Sequence, residues 1–399
     1  MLHKKDSVEK RRVILMHLDE VCLKGGNRRL FEKMLIRNVG EALGSKYEKI
    51  ELLGGRIAVT LPHDVTDILL RRFSTFPGIA YIAPAISVPP EIDAIKNGAV
   101  ALIDASGGQT FRVTAKRADK GFPITSQELN CELGALIVDK LGKRVKLENP
   151  DVELFVDVCD KEAFLYTGKI SGIGGLPVGS SGRVIASLSG GIDSPVAAFM
   201  MMKRGCKVVF AHAKGSIAGS SAPTVRGKLE GIVRVLAKVQ LSSKLYIVPF
   251  ENIQAQIIAS VPSTHRMILY RRVMMKVMNH IARIEKARGI ITGDSVGQVA
   301  SQTLENLGCI YAASELPVFA PLIGMNKTET VAIARSIGTY KYSIIPSPDC
   351  CSFMISKHPE TKARLRDVER MEEQIPISDL VEKAVAEADI LNIDPDWLE

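Results

Sequence analysis

Hydrophobic and polar positions follow two periods in the first part of the chain. Short runs that alternate every second residue predict strands at residues 13–18, 56–61, 79–88, 110–116, 152–158 and 163–169. Longer segments whose apolar residues recur every three to four positions predict helices at residues 29–43, 64–73, 91–103 and 126–141. Strands and helices mixed in this order are typical of small α+β domains.

The pattern changes after a segment rich in glycine and serine. Residues 171–182 have no periodicity, which is typical of a linker, so we expect a domain boundary there. Beyond it, apolar strands alternate regularly with helices. The strands are predicted at 184–188, 208–211, 245–250 and 289–292, and the helices at 195–204, 229–239 and 263–288. This alternation predicts an α/β domain with a doubly wound parallel sheet covered by helices on both faces.

Length and composition exclude several classes of protein. A chain of 399 residues exceeds what one core ordinarily supports, so two or three domains are expected. Hydrophobic residues make up 46% and charged residues 24%, values that exclude disordered and collagen-like chains. We find no apolar run long enough for a bilayer and no secretory signal, and expect a cytoplasmic protein with no membrane contact. Seven scattered cysteines without a C-x-x-C pair argue against a disulfide framework and a zinc ribbon.

Charge is unevenly distributed along the chain. Residues 169–354 carry 21 Lys and Arg against 9 Asp and Glu, a net charge of +12, whereas residues 355–399 carry 6 against 12, a net charge of −6. The basic block indicates a surface that faces a polyanion, either nucleic acid or bound phosphates. Solvated helix faces are the alternative explanation.

The strongest chemical signal is the segment SLSGGIDSP at residues 187–195, which joins a predicted strand to a predicted helix. Gly190 and Gly191 allow a tight turn that brings backbone N–H groups close to phosphate oxygens, and Ser189 and Ser194 add hydroxyl donors. Pro195 suits the first turn of the helix, whose positive dipole end then points at the loop. The G-x-x-x-x-G-K-[ST] motif is absent. A purely structural glycine turn is the alternative.

This segment resembles the S-G-G-x-D-S loop of the PP-loop ATP pyrophosphatases. The resemblance implies that the loop holds the β,γ-pyrophosphate of ATP and that ATP is cleaved between its α and β phosphates to leave AMP. It also implies that Asp193 is the carboxylate on the side of the magnesium ion, because phosphate charge must be neutralised for in-line attack.

Further segments narrow the resemblance. They are LKGGNR at 23–28, KRADKGFP at 116–123, ITGDSVGQVASQT at 291–303, PLIGMNKTE at 321–329 and PDCC at 348–351. Together with the loop they closely resemble the thiamine-pathway sulfurtransferase family, which contains the tRNA 4-thiouridine synthetases (tRNA uracil 4-sulfurtransferases). The resemblance covers almost the whole chain. It implies an N-terminal ferredoxin-like domain at 1–60, a THUMP RNA-binding domain at 61–168, a linker at 169–182 and a PP-loop pyrophosphatase catalytic domain at 183–399.

The family resemblance also implies roles for individual residues. ATP would be bound by the loop and by Ser187, Leu188, His212, Ala213, Arg271, Gly293 and Gln302. Lys327 would contact phosphate or stabilise transition-state charge, although the preceding residue is Asn326 where the family commonly has aspartate. Arg272 is expected on a solvated helix patch. Phosphates of tRNA would be contacted by Lys24, Arg28, Arg29, Lys116, Arg117 and Lys120.

Sulfur transfer requires a sulfur nucleophile, and Cys350 and Cys351 are the obvious pair. The family resemblance implies a catalytic cysteine here without deciding which of the two it is, and two buried apolar cysteines are the alternative. Cys206 and Cys309 are expected in the core. We expect the form of the family that lacks the C-terminal rhodanese domain of some members. The cysteine spacing gives no positive sign of an iron–sulfur cluster.

The resulting hypothesis is an enzyme that uses ATP and Mg²⁺ to adenylate O4 of uridine 8 in tRNA and then replaces that oxygen with cysteine-delivered sulfur. The resemblance implies a cysteine desulfurase as sulfur donor, possible sulfur delivery to thiamine thiazole through a sulfur-carrier protein, and a homodimer. One rival is a PP-loop ligase or amidotransferase that adenylates a small metabolite, but no glutamine-hydrolysing domain is visible. Another is a non-catalytic tRNA-binding protein, against which the intact Asp193 and Lys327 argue.

Overall fold

The computed structural model describes residues 11–44, 46–62, 66–215, 222–346 and 356–395. The chain forms two compact units, Met1–Pro177 and Val178–Glu399. The segment predicted as a linker, 169–182, is thus divided between the two units. Its first part is not irregular throughout, because Ile170–Ser171 pairs with an earlier strand of the first unit.

The first unit is built on one mixed sheet with four helices. Its strands are β1 Arg11–Leu18, β2 Lys49–Leu53, β3 Arg56–Thr60, β4 Ile79–Val88, β5 Thr110–Arg117, β6 Arg144–Val145, β7 Val152–Val158, β8 Ala163–Tyr166 and β9 Ile170–Ser171. The helices are α1 Arg28–Leu43, α2 Asp67–Ser74, α3 Ile92–Ala105 and α4 Ser126–Leu141. The strand order is β2-β3-β1-β4-β8-β7-β5-β6, with β9 also pairing with β4. The sheet therefore runs without interruption across residue 60, where the family resemblance implies a domain boundary.

The sheet of the first unit is curled. Arg56 on β3 contacts Asp157 on β7, although β1, β4 and β8 lie between these strands in the sheet order. The contact is bidentate, with Nε donating to Oδ2 at 3.0 Å and a terminal nitrogen donating to Oδ1 at 2.9 Å. Only a sheet that bends back on itself can bring these two strands together. The enclosed face carries a buried apolar cluster that includes Val13, Leu15 and Phe164.

Asp157 is the centre of a buried polar cluster on this face. Its side chain is 2% exposed and also accepts hydrogen bonds from Tyr166 at 3.1 Å and from His17 Nε2 at 3.3 Å. Burial raises the pKa of Asp157, but the hydrogen bond from His17 and the charge of Arg56 outweigh burial and lower it below its ordinary value. Burial lowers the pKa of His17, whose ring stacks on Tyr81 with 4.0 Å between centroids. One carboxylate thus links residues from four strands.

The second unit is a mostly parallel sheet with helices on both faces. Its strands are β10 Arg183–Ser187, β11 Lys207–Lys214, β12 Ser243–Pro249, β13 Ile290–Ile291, β14 Val318–Phe319 and β15 Asp389–Ile393. Its helices are α5 Asp193–Lys203, α6 Ala222–Gln240, α7 Glu251–Ser260, α8 Arg266–Glu285, α9 Leu304–Tyr311, α10 Lys327–Ser336, α11 Tyr340–Ser343, α12 Leu365–Glu372 and α13 Ile377–Ala386. Within the described part of the chain, no helix has the length and apolarity needed to cross a membrane.

The strand order β14-β13-β10-β11-β12-β15 confirms the predicted doubly wound fold. The chain runs outward from β10 through β11 to β12 and then returns to build β13 and β14 on the other side of β10. The direction of winding therefore reverses between β10 and β13, and open α/β sheets bind ligands at this switch point. The sheet is not wholly parallel, because β15 pairs with β12 in antiparallel orientation.

The long helix α8 corrects one prediction. Arg272 was expected on a solvated patch, but it is 3% exposed. Its Nε donates to Glu372 on α12 and a terminal nitrogen donates to the carbonyl of Cys309 on α9. Because α8 packs against helices on several sides, a charged residue there must be paired, and this one joins three helices. Cys309 is buried, as is Cys206, which confirms their prediction as core residues.

Candidate active site

The loop between β10 and α5 is held in shape by its own serines. The hydroxyl of Ser194 accepts a hydrogen bond from the backbone N–H of Ser189 at 3.1 Å, and the hydroxyl of Ser189 accepts one from Gly191 at 3.2 Å. The two hydroxyls lie 3.1 Å apart. Gly190 has φ +81°, a conformation that a side chain would strain, whereas Gly191 does not have a positive φ. The serines therefore shape the phosphate loop as well as offering donors to a ligand.

Strand β11 supports this loop from the side. The backbone N–H of Leu188 donates to the carbonyl of Ala211 at 2.8 Å, and the ring Nδ1 of His212 lies 2.7 Å from the carbonyl of Leu188. A carbonyl can only accept, so Nδ1 carries the proton. His212 and Ala213 are both buried. Burial lowers the pKa of His212 despite the hydrogen bond with Leu188, and the nearby charge of Lys228 lowers it further.

This depressed pKa predicts a pH effect on stability. Between the folded pKa and 6.5, the unfolded chain binds more protons at His212, so the free energy of unfolding falls as pH drops below 6.5. The slope from one such residue approaches about 1.4 kcal/mol per pH unit. We expect His212→Asn, whose amide can still donate to Leu188, to lose less stability than the wild type between pH 7.5 and pH 5.5 in urea denaturation. His358→Asn, at an exposed position, is the control. Equal losses in the wild type and His212→Asn would contradict this assignment.

Asp193 and Lys327 meet at the start of two helices. Asp193 is the first residue of α5 and Lys327 the first of α10, and the ammonium lies 2.7 and 2.9 Å from the two carboxylate oxygens. Gln298, in the loop after β13, also donates to Asp193 at 3.0 Å. Asn326 caps α10 by accepting the backbone N–H of Glu329 at 3.0 Å. An asparagine or an aspartate oxygen can accept this bond, so the departure at Asn326 leaves the position of Lys327 intact.

Gly293 is required by the close approach of two loops. A Cβ at this position would lie 2.8 Å from the backbone nitrogen of Ser194 and 3.0 Å from the carbonyl carbon of Asp193. Both neighbours are backbone atoms at the start of α5 and cannot turn aside. The glycine after β13 therefore sets how closely this loop packs against the phosphate loop.

We expect Gly293→Ala to weaken ATP binding about tenfold, because the added methyl group must displace the phosphate loop from its binding geometry. Isothermal titration calorimetry with ATP measures the effect. Gly308→Ala on α9 is a matched control, since a Cβ at that position meets nothing within 4 Å. ATP affinity unchanged in Gly293→Ala would show that the loop tolerates the displacement.

A cavity of about 530 Å³ opens beside the phosphate loop. One part is apolar and is lined by Met267, Ile268, Met274, Met275 and Met278 of α8. The polar part includes Ser187, Asp193, Arg271, Gly293 and Gln302, so the structure brings together predicted residues from β10, α5, α8 and the loop after β13. An apolar pocket that adjoins a phosphate loop matches the two halves of a nucleotide.

Asp294 is a residue of this site that the sequence analysis did not single out. It is 3% exposed and accepts hydrogen bonds from Arg271, Gln302 and Tyr311. Gln298 was missed in the same way. Both lie in the segment 291–303 that carries the family resemblance, and a polar residue at the end of a central strand was the available signal.

Lys228 on α6 was also missed. Its side chain is buried, and its Cε would lie 3.7 Å from a Cβ added to Gly190, so it packs against the phosphate loop. Its ammonium donates to the carbonyl of Ile345 at 2.9 Å. Ile345 precedes the segment that contains Cys350 and Cys351, which lie outside the described residues. On the other side of that segment, Ser356, Pro359 and Glu360 line the cavity. On one side of the cysteine segment a described residue thus contacts Lys228, which lies beside the phosphate loop, and on the other side described residues line the cavity.

The cysteines that the structure describes are poor candidates for sulfur chemistry in this unit. Burial raises the pKa of Cys206 and of Cys309, which disfavours the thiolate. In the first unit, burial raises the pKa of Cys159 to about 11. Cys22 and Cys131 are exposed, and both belong to the first unit.

The basic residues predicted to contact RNA lie in two groups in the first unit, here called the basic surface. Lys24, Arg28 and Arg29 lie around the start of α1, and Lys116, Arg117 and Lys120 lie at the end of β5. The two groups meet at the β2–β3 turn, where a Cβ on Gly55 would lie 2.6 Å from Arg28 and one on Gly54 would lie 2.8 Å from Ala118.

Three members of this surface have contacts of their own. Arg117 donates to the carbonyls of Phe122 at 3.0 Å and Ile124 at 2.6 Å, so it fixes the following loop. Arg28 donates to Glu32 at 2.6 Å, and Lys24 lies over the ring of Phe31. Arg29, Lys116 and Lys120 are the exposed ones.

The second unit defines a class of protein. A glycine loop at the switch point of a doubly wound sheet, with a carboxylate–lysine pair and a nucleotide-sized cavity beside it, is typical of an ATP-cleaving enzyme of the PP-loop pyrophosphatase type. Family models agree with this class. The thiamine biosynthesis protein (ThiI) model matches residues 179–377, the THUMP domain model residues 90–167 and the ThiI ferredoxin-like domain model residues 13–83.

Similar proteins cover nearly the whole chain. A probable tRNA sulfurtransferase of Moorella thermoacetica is 39% identical over 96% of this chain and 98% of its own length, and one of Thermus thermophilus is 41% identical over 93% and 91%. A crystal structure of a 4-thiouridine synthetase–RNA complex with bound ATP has a TM-score of 0.88 at 34% identity, covering 96% of this chain and 100% of that one. A crystal structure of PH1313 from Pyrococcus horikoshii Ot3 shares the fold. It is 24% identical with a TM-score of 0.62, and the match covers 82% of this chain and 99% of that one. The chain belongs to the ThiI family of tRNA sulfurtransferases, which confirms the family predicted from the sequence.

Proposed function

We propose that this enzyme uses ATP to convert uridine 8 of tRNA to 4-thiouridine. The observation that carries the proposal is the Asp193–Lys327 pair at the mouth of the phosphate loop, beside a cavity of about 530 Å³. The homologous 4-thiouridine synthetase binds both RNA and ATP, which supports the same pair of substrates here.

Different residues of the chain bind different parts of ATP. The loop 187–194 offers backbone N–H groups and the positive end of α5 to the β and γ phosphates. Met274 and the other apolar side chains of α8 receive the base or ribose. Asp193 fits a magnesium ion brought in by the phosphates, since a partly exposed carboxylate is the oxygen ligand this ion prefers. Such an ion would neutralise phosphate charge, and Lys327 would then be released towards the phosphates.

The proposed reaction has two steps whose atoms balance. O4 of the uridine attacks the α phosphorus, the bond between the α and β phosphates breaks, and pyrophosphate leaves. Sulfur then attacks C4, the C4–O4 bond breaks, and AMP leaves with the original oxygen. With a persulfide on Cys350 or Cys351 as the nucleophile, its outer sulfur bonds to C4 and the base stays joined to the cysteine by an S–S bond. A second thiol then attacks the cysteine sulfur, 4-thiouridine leaves as its thiolate, and the two thiols end as a disulfide, which an external thiol reductant must reduce before the next turnover. A cysteine desulfurase would supply the persulfide sulfur.

The test combines ATP, magnesium, sulfide and an unmodified tRNA transcript with the pure protein. We expect 4-thiouridine and AMP by mass spectrometry after digestion of the RNA, and neither product from a transcript with cytidine at position 8. AMP without 4-thiouridine would support adenylation and require the desulfurase as sulfur source. Neither product, with tRNA still bound, would overturn the proposal in favour of a tRNA-binding protein, and AMP formed with a small metabolite instead would favour a PP-loop ligase.

The cysteines are tested by exchanging the sulfur source. We propose that Cys350→Ser or Cys351→Ser abolishes thiolation when a desulfurase and cysteine supply sulfur, while thiolation from free sulfide persists.

Delivery of sulfur to a thiamine sulfur-carrier protein and assembly as a homodimer are further parts of the proposal. Mass spectrometry of a thiocarboxylated carrier tests the first, and sedimentation tests the second.

Lys120 tests the basic surface. It is exposed and follows the end of β5 by three residues, so we expect Lys120→Ala to weaken tRNA binding and to reduce the slope of log affinity against log salt by about 1. Filter binding at several salt concentrations measures both. Lys140→Ala, which removes an exposed lysine near the end of α4 in the same unit, is the matched control. Equal slopes for Lys120→Ala and the wild type would remove Lys120 from the interface.

A further inference from the structure

The amide of Gln302 has one satisfied end and one unsatisfied end. Gln302 is 9% exposed and lines the cavity beside the phosphate loop. Its Nε2 donates to Asp294 Oδ1 at 3.0 Å, whereas its Oε1 is buried and has no hydrogen-bond partner among the described residues. A buried acceptor without a donor is unfavourable. The free energy cost is removed if a ligand in the cavity supplies the donor.

Asp294 determines how this amide is oriented. Both of its oxygens lie 2.7 Å from one terminal nitrogen of Arg271, and Tyr311 donates to it at 2.8 Å. Burial raises the pKa of Asp294, but the charge of Arg271 and these hydrogen bonds lower it below its ordinary value, so the group is ionised at neutral pH. An ionised carboxylate only accepts hydrogen bonds. The Gln302 amide must therefore turn its NH₂ towards Asp294 and its oxygen away from it.

We propose that Asp294 is a positioning residue for nucleotide selection: it fixes Gln302 as a hydrogen-bond acceptor in the cavity, so the site selects a nucleotide with a hydrogen-bond donor at that place. This inference rests on the proposed ATP-dependent function. Two groups of ATP can supply the donor, the 6-amino group of the base and a ribose hydroxyl. A nucleotide with an oxygen or a hydrogen in place of that donor leaves Oε1 unpaired, and an oxygen also repels it.

The test measures affinity ratios by calorimetry with ATP, ITP, 2′-deoxy-ATP and 3′-deoxy-ATP. We expect the wild type to bind at least one analogue about tenfold more weakly than ATP. Weaker binding of ITP than of ATP assigns the donor to the base, and weaker binding of a deoxynucleotide assigns it to the ribose. In Asp294→Asn the facing amide can donate as well as accept, so the Gln302 amide can turn and the ratio should fall to about threefold or less.

Two further variants separate this role from a general effect on folding. Tyr311→Phe removes another donor to the same carboxylate but leaves the amide fixed, so the affinity ratio should be retained. Gln302→Met removes the acceptor, so the ratio should be lost even where Asp294→Asn does not fold. If the wild type thiolates tRNA but binds all four nucleotides equally, this inference is overturned and the proposed function stands. The inference is likewise overturned if Asp294→Asn or Gln302→Met keeps the wild-type ratio of ATP affinity to analogue affinity. Binding of none of them would overturn the proposed function with it.

Discussion

Asp193→Asn is expected to lower the rate of ATP-dependent AMP formation by about 10²–10³-fold. Asparagine has the same shape as aspartate but carries no charge, so it cannot form an ion pair with Lys327 and would bind the proposed magnesium ion more weakly. The lost interactions are those at 2.7 and 2.9 Å to the ammonium of Lys327. Because the proposed reaction changes phosphate charge beside this carboxylate, we expect the loss to fall on the chemical step rather than on tRNA affinity.

The measurement is AMP formed per enzyme under single-turnover conditions, with tRNA binding measured in parallel. Asp379→Asn is the matched control, since Asp379 is also a carboxylate in the first turn of a helix in the same unit but is exposed on α13. The double variant Asp193→Asn with Lys327→Met should cost little more than either single variant, because groups that act as a unit are not additive. A rate for Asp193→Asn within threefold of the wild type would remove Asp193 from the catalytic assignment.

Asp157→Ala should reduce the stability of the first unit by about 3–5 kcal/mol, the usual cost of leaving a buried charge without its partner. The substitution leaves the guanidinium of Arg56, on β3, without a carboxylate partner among the described residues. It also removes the acceptor for His17 and Tyr166. Since the ion pair joins strands that are not adjacent in the sheet, the curl of the sheet should loosen as well.

Hydrogen exchange with mass spectrometry of the full chain measures this effect locally. Protection should fall in peptides from β3 and β7 and stay unchanged in those from β10. Glu41→Ala is the control: it removes a carboxylate from the exposed Arg37–Glu41 pair and should change stability by less than about 0.5 kcal/mol. The lowered pKa of Asp157 means that its contribution is complete above 3.8 and is lost as pH falls through the folded pKa, so the two proteins should converge in strong acid.

The sequence predicted the elements around the site better than the contacts between them. Alternating apolar strands and helices, together with the SGGIDS segment, placed β10, β11, β12 and the phosphate loop correctly. Asp193 and Lys327 were selected from motifs, but their contact joins residues 134 positions apart, and periodicity reports only local burial. The partner of Arg272, Glu372, is 100 positions away, which is why a helix pattern alone indicated a solvated residue. The two-residue strands β6 and β14 are too short for any alternation to be visible in the sequence, and they are defined by their pairing with β5 and β13.

The late position of β15 in the chain has a consequence for protein synthesis. All strands of the first unit precede residue 177, so its sheet can be completed while the second unit is still being translated. The edge of β12, in contrast, gains its partner only after residues 389–393 have been made. Until then β12 presents an apolar, unpaired edge that includes Leu245 and Ile247, which is a template for pairing with other nascent chains. Translation of the residues between β12 and β15, 250–388, is therefore the interval in which this protein most needs a chaperone.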